Sequence, residues 1–493
     1  MGLLVLRRWV GGTKRRPTVA ISIPTSHGSC TAVAIRPRWS KRLFVQDPRA
    51  VVTKQVSSRR ALLTVFVIVF IDLLGFGIVI PILPFYVRDL GGSDVVYGLL
   101  AASYSLMQFL SAPLLGGISD SRGRRPVLMF TLLGNAVAWA VFGLGGEAEL
   151  LFGTVGALGT LFAARMLAGA MGGNLATAQA YVADVTPVER RAGALGLVGA
   201  AFGLGFVFGP ALGSILASDG VVAAAQGVFP SFVPATQFSL PSFGAAAFSV
   251  VAFLATWAFL PEPERQAAPA RRSRILGQFV DALRDVALRP LVVAFFAASV
   301  AFSGIQIAFI PYVADVYGYD ASQAGLLLTY VGVLGVLNQG VVVGRVARRI
   351  SSKRMAIVGA GLLVVALGAF PFSPEIGRGL LGGFTYADIG ARVFALLGVL
   401  TLLSTGNSFL NVALSTLVSA AASEASQGSA FGVTQGAGSL GRTVGPPIMT
   451  ALYAFVVYWS PFVVGAVLTV GIIGLLATLR VDTGGSAPAP PTE

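Results

Sequence analysis

Apolar residues occupy this chain in long unbroken stretches, not at helical or alternate spacing. From Ala61 onward, runs of about 20 residues recur near 61–83, 95–117, 126–146, 157–180, 193–217, 241–260, 291–314, 324–346, 355–373, 393–420, 428–454 and 460–479. A run of that length crosses about 30 Å of hydrocarbon as an α-helix. The pattern therefore predicts an all-α membrane protein of about twelve transmembrane helices. Two connections, 218–240 and 374–392, hold Pro, Phe, Ser and Gly with little charge and read as loose loops. A third, 261–290, is rich in Pro and Arg and reads as a linker between halves. The expected organisation is a basic, disordered arm 1–60, a six-helix bundle 61–260, the linker 261–290, a second six-helix bundle 291–480 and a disordered tail 481–493.

The two bundles repeat each other. Pro84 and Gly98 recur as Pro311 and Gly325, both shifted by 227, while Gly205, Gly209 and Pro210 recur as Gly441, Gly445 and Pro446, all shifted by 236. A weaker copy matches Gly344, Arg348 and Lys353 to Gly116, Asp120 and Arg125. Duplication of this kind implies two pseudo-symmetric bundles facing each other, with a binding site near the midplane between them.

Composition narrows the function. Hydrophobic residues make up 55% and charged residues 11% of the chain, against about 25% charged in a soluble domain. The single cysteine, Cys30, and single histidine, His27, leave no basis for an internal disulfide, a Cys/His metal cluster or a histidine-based triad. Enzymatic chemistry is not expected, and neither is a cofactor or metal. Residues 1–60 carry 13 Lys and Arg against one acid, Asp47, and the remaining chain carries 22 against 20, so the net charge of +14 belongs to the arm. That places nucleic acid last among partners. The arm fits a membrane-surface segment, sequence upstream of the true start, or an organellar transit peptide. With a cytoplasmic amino terminus, the inner connections hold 17 Lys and Arg and the outer ones three, Arg88, Arg378 and Arg392, which is the positive-inside pattern. Both termini are then cytoplasmic, in the cell membrane, or in an organellar membrane if the arm is a transit peptide.

The second and third runs are separated by Gly116-Gly117-Ile118-Ser119-Asp120-Ser121-Arg122-Gly123-Arg124-Arg125. These charges cannot sit in hydrocarbon, and the glycines are expected to make a sharp turn. The pattern G-x-x-x-D-x-x-G-R-R resembles the signature loop of the major facilitator superfamily of transporters, with Ser121 where the family carries a basic residue. Asp184, Glu189, Arg190 and Arg191 close the next turn on the same side, and the resemblance implies that Gly116, Asp120, Gly123, Arg124, Arg125, Asp184 and Arg190 latch one conformation. In the fifth run, Gly196, Gly205, Gly209, Pro210 and Gly213 resemble the antiporter motif, with Ser214 for its final glycine. Physically they form Cβ-free faces for close packing, with Pro210 expected to bend the helix. Gly436, Gly438 and Gly441 match a dinucleotide fingerprint by letter, but no strand or soluble helix frames them, and they read as packing glycines.

Ionisable residues inside the runs are functional candidates. Asp72 and Arg165 fall at similar depth and could meet near the midplane, and Arg442 is a third charge with no acid on its own helix. Arg165 with Gly169, and Asp72 with Gly75, Gly77, Pro81 and Pro84, resemble motifs of drug:proton antiporters that include tetracycline exporters. The resemblance implies proton coupling at Asp72 and Arg165, although a static ion pair also fits them. Candidates for lining a substrate cavity are Tyr104, Gln108, Asn135, Gln306, Tyr330, Asn338, Gln339, Asn411 and Arg442, an apolar, aromatic and amide set suited to lipophilic molecules. The third-helix acid of tetracycline exporters falls at Ala138. The expectation is a monomeric, proton-driven exporter of lipophilic small molecules. The alternatives are a facilitator or importer of a polar metabolite and a non-transporting receptor on the same scaffold.

Overall fold

The computed structural model of the protein describes residues 19–24, 30–35, 48–186, 188–230, 232–263, 280, 282–382, 385–386, 389–421 and 427–479. Met1–Ser57 and Ser58–Glu493 are separate compact units. In the first, β1 (Val19–Pro24) pairs antiparallel with β2 (Cys30–Ile35). Here part of the arm forms a ladder, because β-branched residues recur at every second position, Val19, Ile21 and Ile23 in one strand and Thr31, Val33 and Ile35 in the other. Most of the linker and the whole tail expected from the sequence lie outside the described residues.

The helices follow in chain order. They are α1 (Pro48–Val79), α2 (Leu83–Asp89), α3 (Asp94–Arg122), α4 (Arg124–Gly143), α5 (Gly145–Met171), α6 (Asn174–Val185), α7 (Val188–Leu216), α8 (Asp219–Val228) and α9 (Ser239–Phe259). The second half contributes α10 (Leu288–Tyr317), α11 (Ala321–Leu337), α12 (Val343–Ala347), α13 (Ser352–Ala369), α14 (Ser373–Leu381), α15 (Ala391–Ala421), α16 (Gln427–Phe455) and α17 (Ser460–Thr478). Among the described residues, ten helical stretches are long and apolar enough to cross a membrane, and the bent pair α7–α8 makes eleven. The 29-residue α16 is long enough as well, but Gly, Ser, Thr, Gln and Arg442 dilute its hydropathy. Each of the twelve runs falls within this series.

Three local expectations change. Gly116 and Gly117 lie inside α3, and the turn is the single residue Gly123, at φ 115° and ψ 151°. Cooperative helix propagation carries α3 through the glycine pair, so only the residue that must leave helical geometry does so. The sharp break after the antiporter glycines, 63°, lies between α7 and α8 and not at Pro210, which stays within α7. The two loops are also partly ordered: 218–240 contains α8, and 374–392 contains most of α14 and a short hairpin, β3 (Thr385–Tyr386) with β4 (Ile389–Gly390).

Two sets of cores follow the two halves. In the first half, Leu74, Ile78, Tyr97, Leu100, Trp139 and Phe142 form one buried cluster, and Val65, Leu128, Leu132 and Tyr181 anchor another. In the second, Phe309, Tyr312, Phe370, Leu400 and Phe462 belong to a single cluster. Glycine sets the closest approaches, as small residues do where lipid supplies no hydrophobic drive between helices. A Cβ on Gly77 would lie 2.9 Å from the Gly205 carbonyl oxygen, and one on Gly209 would lie 2.6 Å from the Gly77 Cα, so α1 and α7 meet backbone to backbone. Between the halves, Gly98 of α3 faces Thr450 of α16, and Gly325 of α11 faces Ser214 and Pro210 of α7.

These spacings separate packing glycines from tolerant ones. Gly209→Val is expected to lower stability by roughly 1–3 kcal/mol through overpacking. Gly116→Ala, with nothing within 4 Å of the added carbon, should be neutral or stabilising by up to about 1 kcal/mol. Thermal unfolding of the purified variants in detergent checks both.

Candidate functional site

Asp72 lies in α1 among helices of the first half. Its carboxylate accepts hydrogen bonds from Asn135 Nδ2 of α4 at 2.8 Å and Asn174 Nδ2 of α6 at 3.0 Å. Asn174 is the first residue of α6, placed there by the Gly172–Gly173 interruption after α5. A Gly-Gly-Asn break inside an apolar run was the available signal for it, and sequence reasoning passed over it. The buried Asn135 Oδ1 has no partner among the described residues.

Arg165 does not pair with Asp72. It is buried in α5 beneath aromatic rings, with its guanidinium carbon 4.8 Å from the centroid of Tyr104, 5.7 Å from Phe76 and 5.9 Å from Trp139. Each such contact contributes about 0.5–2 kcal/mol, more where water is excluded. The Arg165 Nε has no hydrogen-bond partner among the described residues. Phe76 follows Asp72 by one helical turn, and Trp139 follows Asn135 by one, so the carboxylate and the guanidinium occupy adjacent levels about 6 Å apart along the helices. Sequence depth alone had placed them at one level. Helix rotation gives amides to one and rings to the other.

The cavity candidates divide by what they bind. Gln108 donates to the Gly172 carbonyl at 3.0 Å, and Gly169 and Gly172 let α5 approach Tyr104, so this stretch staples α3 to α5. Tyr330 and Thr401 hydroxyls are 2.8 Å apart, and Asn338 donates to Thr405 Oγ1 at 3.1 Å, joining α11 and the π-helical turn Asn338–Val342 to α15. Asn411 bonds Asn407 on its own helix, Gln339 is exposed, Gln306 is half-buried, and Arg442 donates to Ser439 Oγ at 2.9 Å.

The second charged group lies at the α3–α4 turn. Arg124 Nη1 contacts Asp120 Oδ1 at 2.6 Å, and Arg124 Nε contacts Asp184 Oδ2 at 3.0 Å. Glu262, in the stretch read as linker, accepts from the backbone N–H groups of Arg124 at 2.7 Å and Arg125 at 2.9 Å. A carboxylate on the free N–H groups of a helix start is favourable by hydrogen bonding and by the helix dipole. Glycine is favoured at position 123 by its φ of 115°, and a Cβ there would stand 2.9 Å from Glu262 Oε1 and displace that carboxylate. Arg125 donates to the Trp257 carbonyl near the end of α9 at 2.6 Å. Lys353, its counterpart in the repeat, donates to the Ala477 carbonyl at 3.0 Å and the Leu479 carbonyl at 2.5 Å at the end of α17. The side chain of Arg190 and the surroundings of Gly196 are not among the described features.

The family model of the Major Facilitator Superfamily matches residues 65–381. Tetracycline resistance protein, class C, of Escherichia coli is 30% identical over 405 residues, covering 81% of this chain and 91% of that protein. Major facilitator superfamily domain-containing protein 10 of Mus musculus is 27% identical over 446 residues, covering 81% and 88%. Among solved structures, the human organic anion transporter MFSD10 superposes with a TM-score of 0.57 at 23% identity, covering 85% of this chain and 99% of that one. The nucleoside transporter NupG gives 0.63 at 12%, covering 85% and 100%.

Glu262→Ala should cost about 1–2 kcal/mol of stability, as loss of a helix-start carboxylate does. Arg378→Ala, which removes an exposed pair with Glu375 and a long 3.4 Å hydrogen bond to the Pro374 carbonyl, should change stability by less than about 0.5 kcal/mol. Equal shifts in thermal unfolding would contradict the capping role.

Proposed function

The chain belongs to the major facilitator superfamily and is a transporter, not an enzyme, and on that premise we propose that it is a proton-coupled exporter of lipophilic small molecules working by rocking of its two halves. The observation that carries this reading is Asp72 between two amides. A carboxylate tied to a guanidinium stays ionised, whereas one held by neutral donors can exchange its proton. The unpartnered Asn135 Oδ1 supports this, since rotating that amide by half a turn replaces the donor facing Asp72 with an acceptor suited to the protonated acid. In this reading Asp72 carries the proton, Arg165 sets the charge next to it, and the Asp120–Arg124–Asp184 group with Glu262 governs switching.

The relatives named for tetracycline resistance support efflux. Against tetracycline itself stands Ala138, fully buried in the first-half core where the resemblance places an acid. A metal-chelated, polar drug needs acidic or imidazole partners, of which this region offers few beyond Asp72, assigned here to the proton. We take a single chain as the transporting unit, with both termini cytoplasmic in the cell membrane and the proton gradient as energy source.

A second reading is favoured by Arg165 and Arg442, which have no acid partner among the described residues. Two such cations suit a lipophilic anion, in line with the organic anion transporter among the structural relatives. Protonating Asp72 would then strengthen anion binding, so proton and solute would move together, not in exchange.

Proton movement in reconstituted vesicles separates the two. Export by exchange predicts that adding a lipophilic substrate on one side drives protons to that side, and co-movement predicts the opposite sign. Asp72→Asn should reduce pH-driven transport to the passive leak while the protein still reaches the membrane, and a variant with wild-type proton dependence would remove Asp72 from the mechanism. A host lacking its own pumps should gain tolerance to lipophilic dyes and little to tetracycline. Strong tetracycline resistance without dye tolerance would overturn the substrate assignment.

A further inference from the structure

Arg88, in the last turn of α2, and Asp315, in the last turn of α10, are separated by 227 residues, the same shift that relates Pro84 to Pro311 and Gly98 to Gly325. They are therefore the same position in the two repeats, and they meet. Arg88 Nη1 donates to Asp315 Oδ1 at 2.7 Å and Nη2 to Asp315 Oδ2 at 3.1 Å. The same guanidinium holds Asp94 of its own half, with Nε 2.8 Å from Oδ1 and Nη2 3.0 Å from Oδ2. From the second half, the Tyr453 hydroxyl donates to Asp315 Oδ2 at 2.6 Å. Among the described residues this is the one ion pair joining the halves, because the Asp120–Arg124–Asp184 group lies wholly within the first.

The geometry points to a reversible charge clasp that holds the halves closed at the Arg88 end. Residues in equivalent repeat positions near a pseudo-twofold axis face each other, so opposite charges there attract across it, where identical ones would repel. Each partner is also supported from its own side. When the halves part, Arg88 keeps the Asp94 fork and Asp315 keeps the Tyr453 hydroxyl, so neither charge is left bare, and opening costs one partly exposed ion pair instead of stranding two charges. A static brace would need no such second partners. The glycine contacts Gly98–Thr450 and Gly325–Ser214 also join the halves, so the clasp acts on a preformed fit. The inference requires only that the halves move relative to each other, and it is independent of which solute or ion is carried.

Ala321, at the start of α11, is 3% exposed and packs in the first-half core cluster, so it reports separation at this seam. The test places Ala321→Cys in a Cys30→Ser background and measures the labelling rate by a water-soluble maleimide in detergent, with no substrate present. Arg88→Gln and Asp315→Asn should each speed labelling by about threefold or more, and the double variant should add little beyond either, because both remove one interaction. Arg88→Asp with Asp94→Asn and Asp315→Arg, which reverses the pair, should return the rate toward wild type and guards against a single variant that fails to fold. Unchanged labelling in the single variants, or fully additive effects in the double, would overturn the clasp. Because no transport is read, failure here is distinct from failure of the proton-exchange reading.

Discussion

Close contact of the two repeats, with glycine on one side and a proline-adjacent hydroxyl on the other, is the constraint on which the rest of this structure depends. Gly98 lies against Thr450, whose hydroxyl donates to the Pro446 carbonyl at 2.9 Å, and Gly325 lies against Ser214, whose hydroxyl donates to the Pro210 carbonyl at 2.7 Å. Gly98 and Gly325 are repeat partners, and so are Ser214 with Thr450 and Pro210 with Pro446. Each half thus presents one smooth helix face and one hydroxyl, and the two contacts are the same contact made twice. Each hydroxyl proton is used on its own helix, so neither of these two contacts leaves its donor unpaired.

That seam decides where charge can be useful. Ion pairs lie at the helix ends, where Arg88, Arg124 and their acids retain some exposure. In the interior, Asp72 is given amides and Arg165 is given rings. An ion pair between them would have been the simpler way to bury both. Keeping them one helical turn apart leaves each charge separately adjustable, as the coupling role proposed for them would require.

The repeat is imperfect in an informative way. Arg125 and Lys353 do the same work at the ends of α9 and α17, but Glu262 and the Asp120–Arg124–Asp184 contacts belong to the first half, and Arg348 stands where Asp120 would be. Shared packing with divergent charge lets two similar bundles fit together while their charged helix ends differ.

The sequence by itself marked the long apolar segments and the letters that repeat between the two halves. Those are properties of each stretch alone, set by transfer of apolar side chains and by letters that recur at fixed shifts. It also marked Gly205, Gly209 and Gly213 as contact glycines, since only a missing Cβ explains that spacing. The partners were decided by tertiary structure. Asn174 and Glu262 find Asp72 and the start of α4 because of how α6 and the end of α9 are turned, and Arg165 misses Asp72 for the same reason. Rotation of a helix that is apolar on nearly every face leaves little periodic trace in its sequence. It is set by all its neighbours at once, so the wiring of the charges became legible only when the bundles were packed.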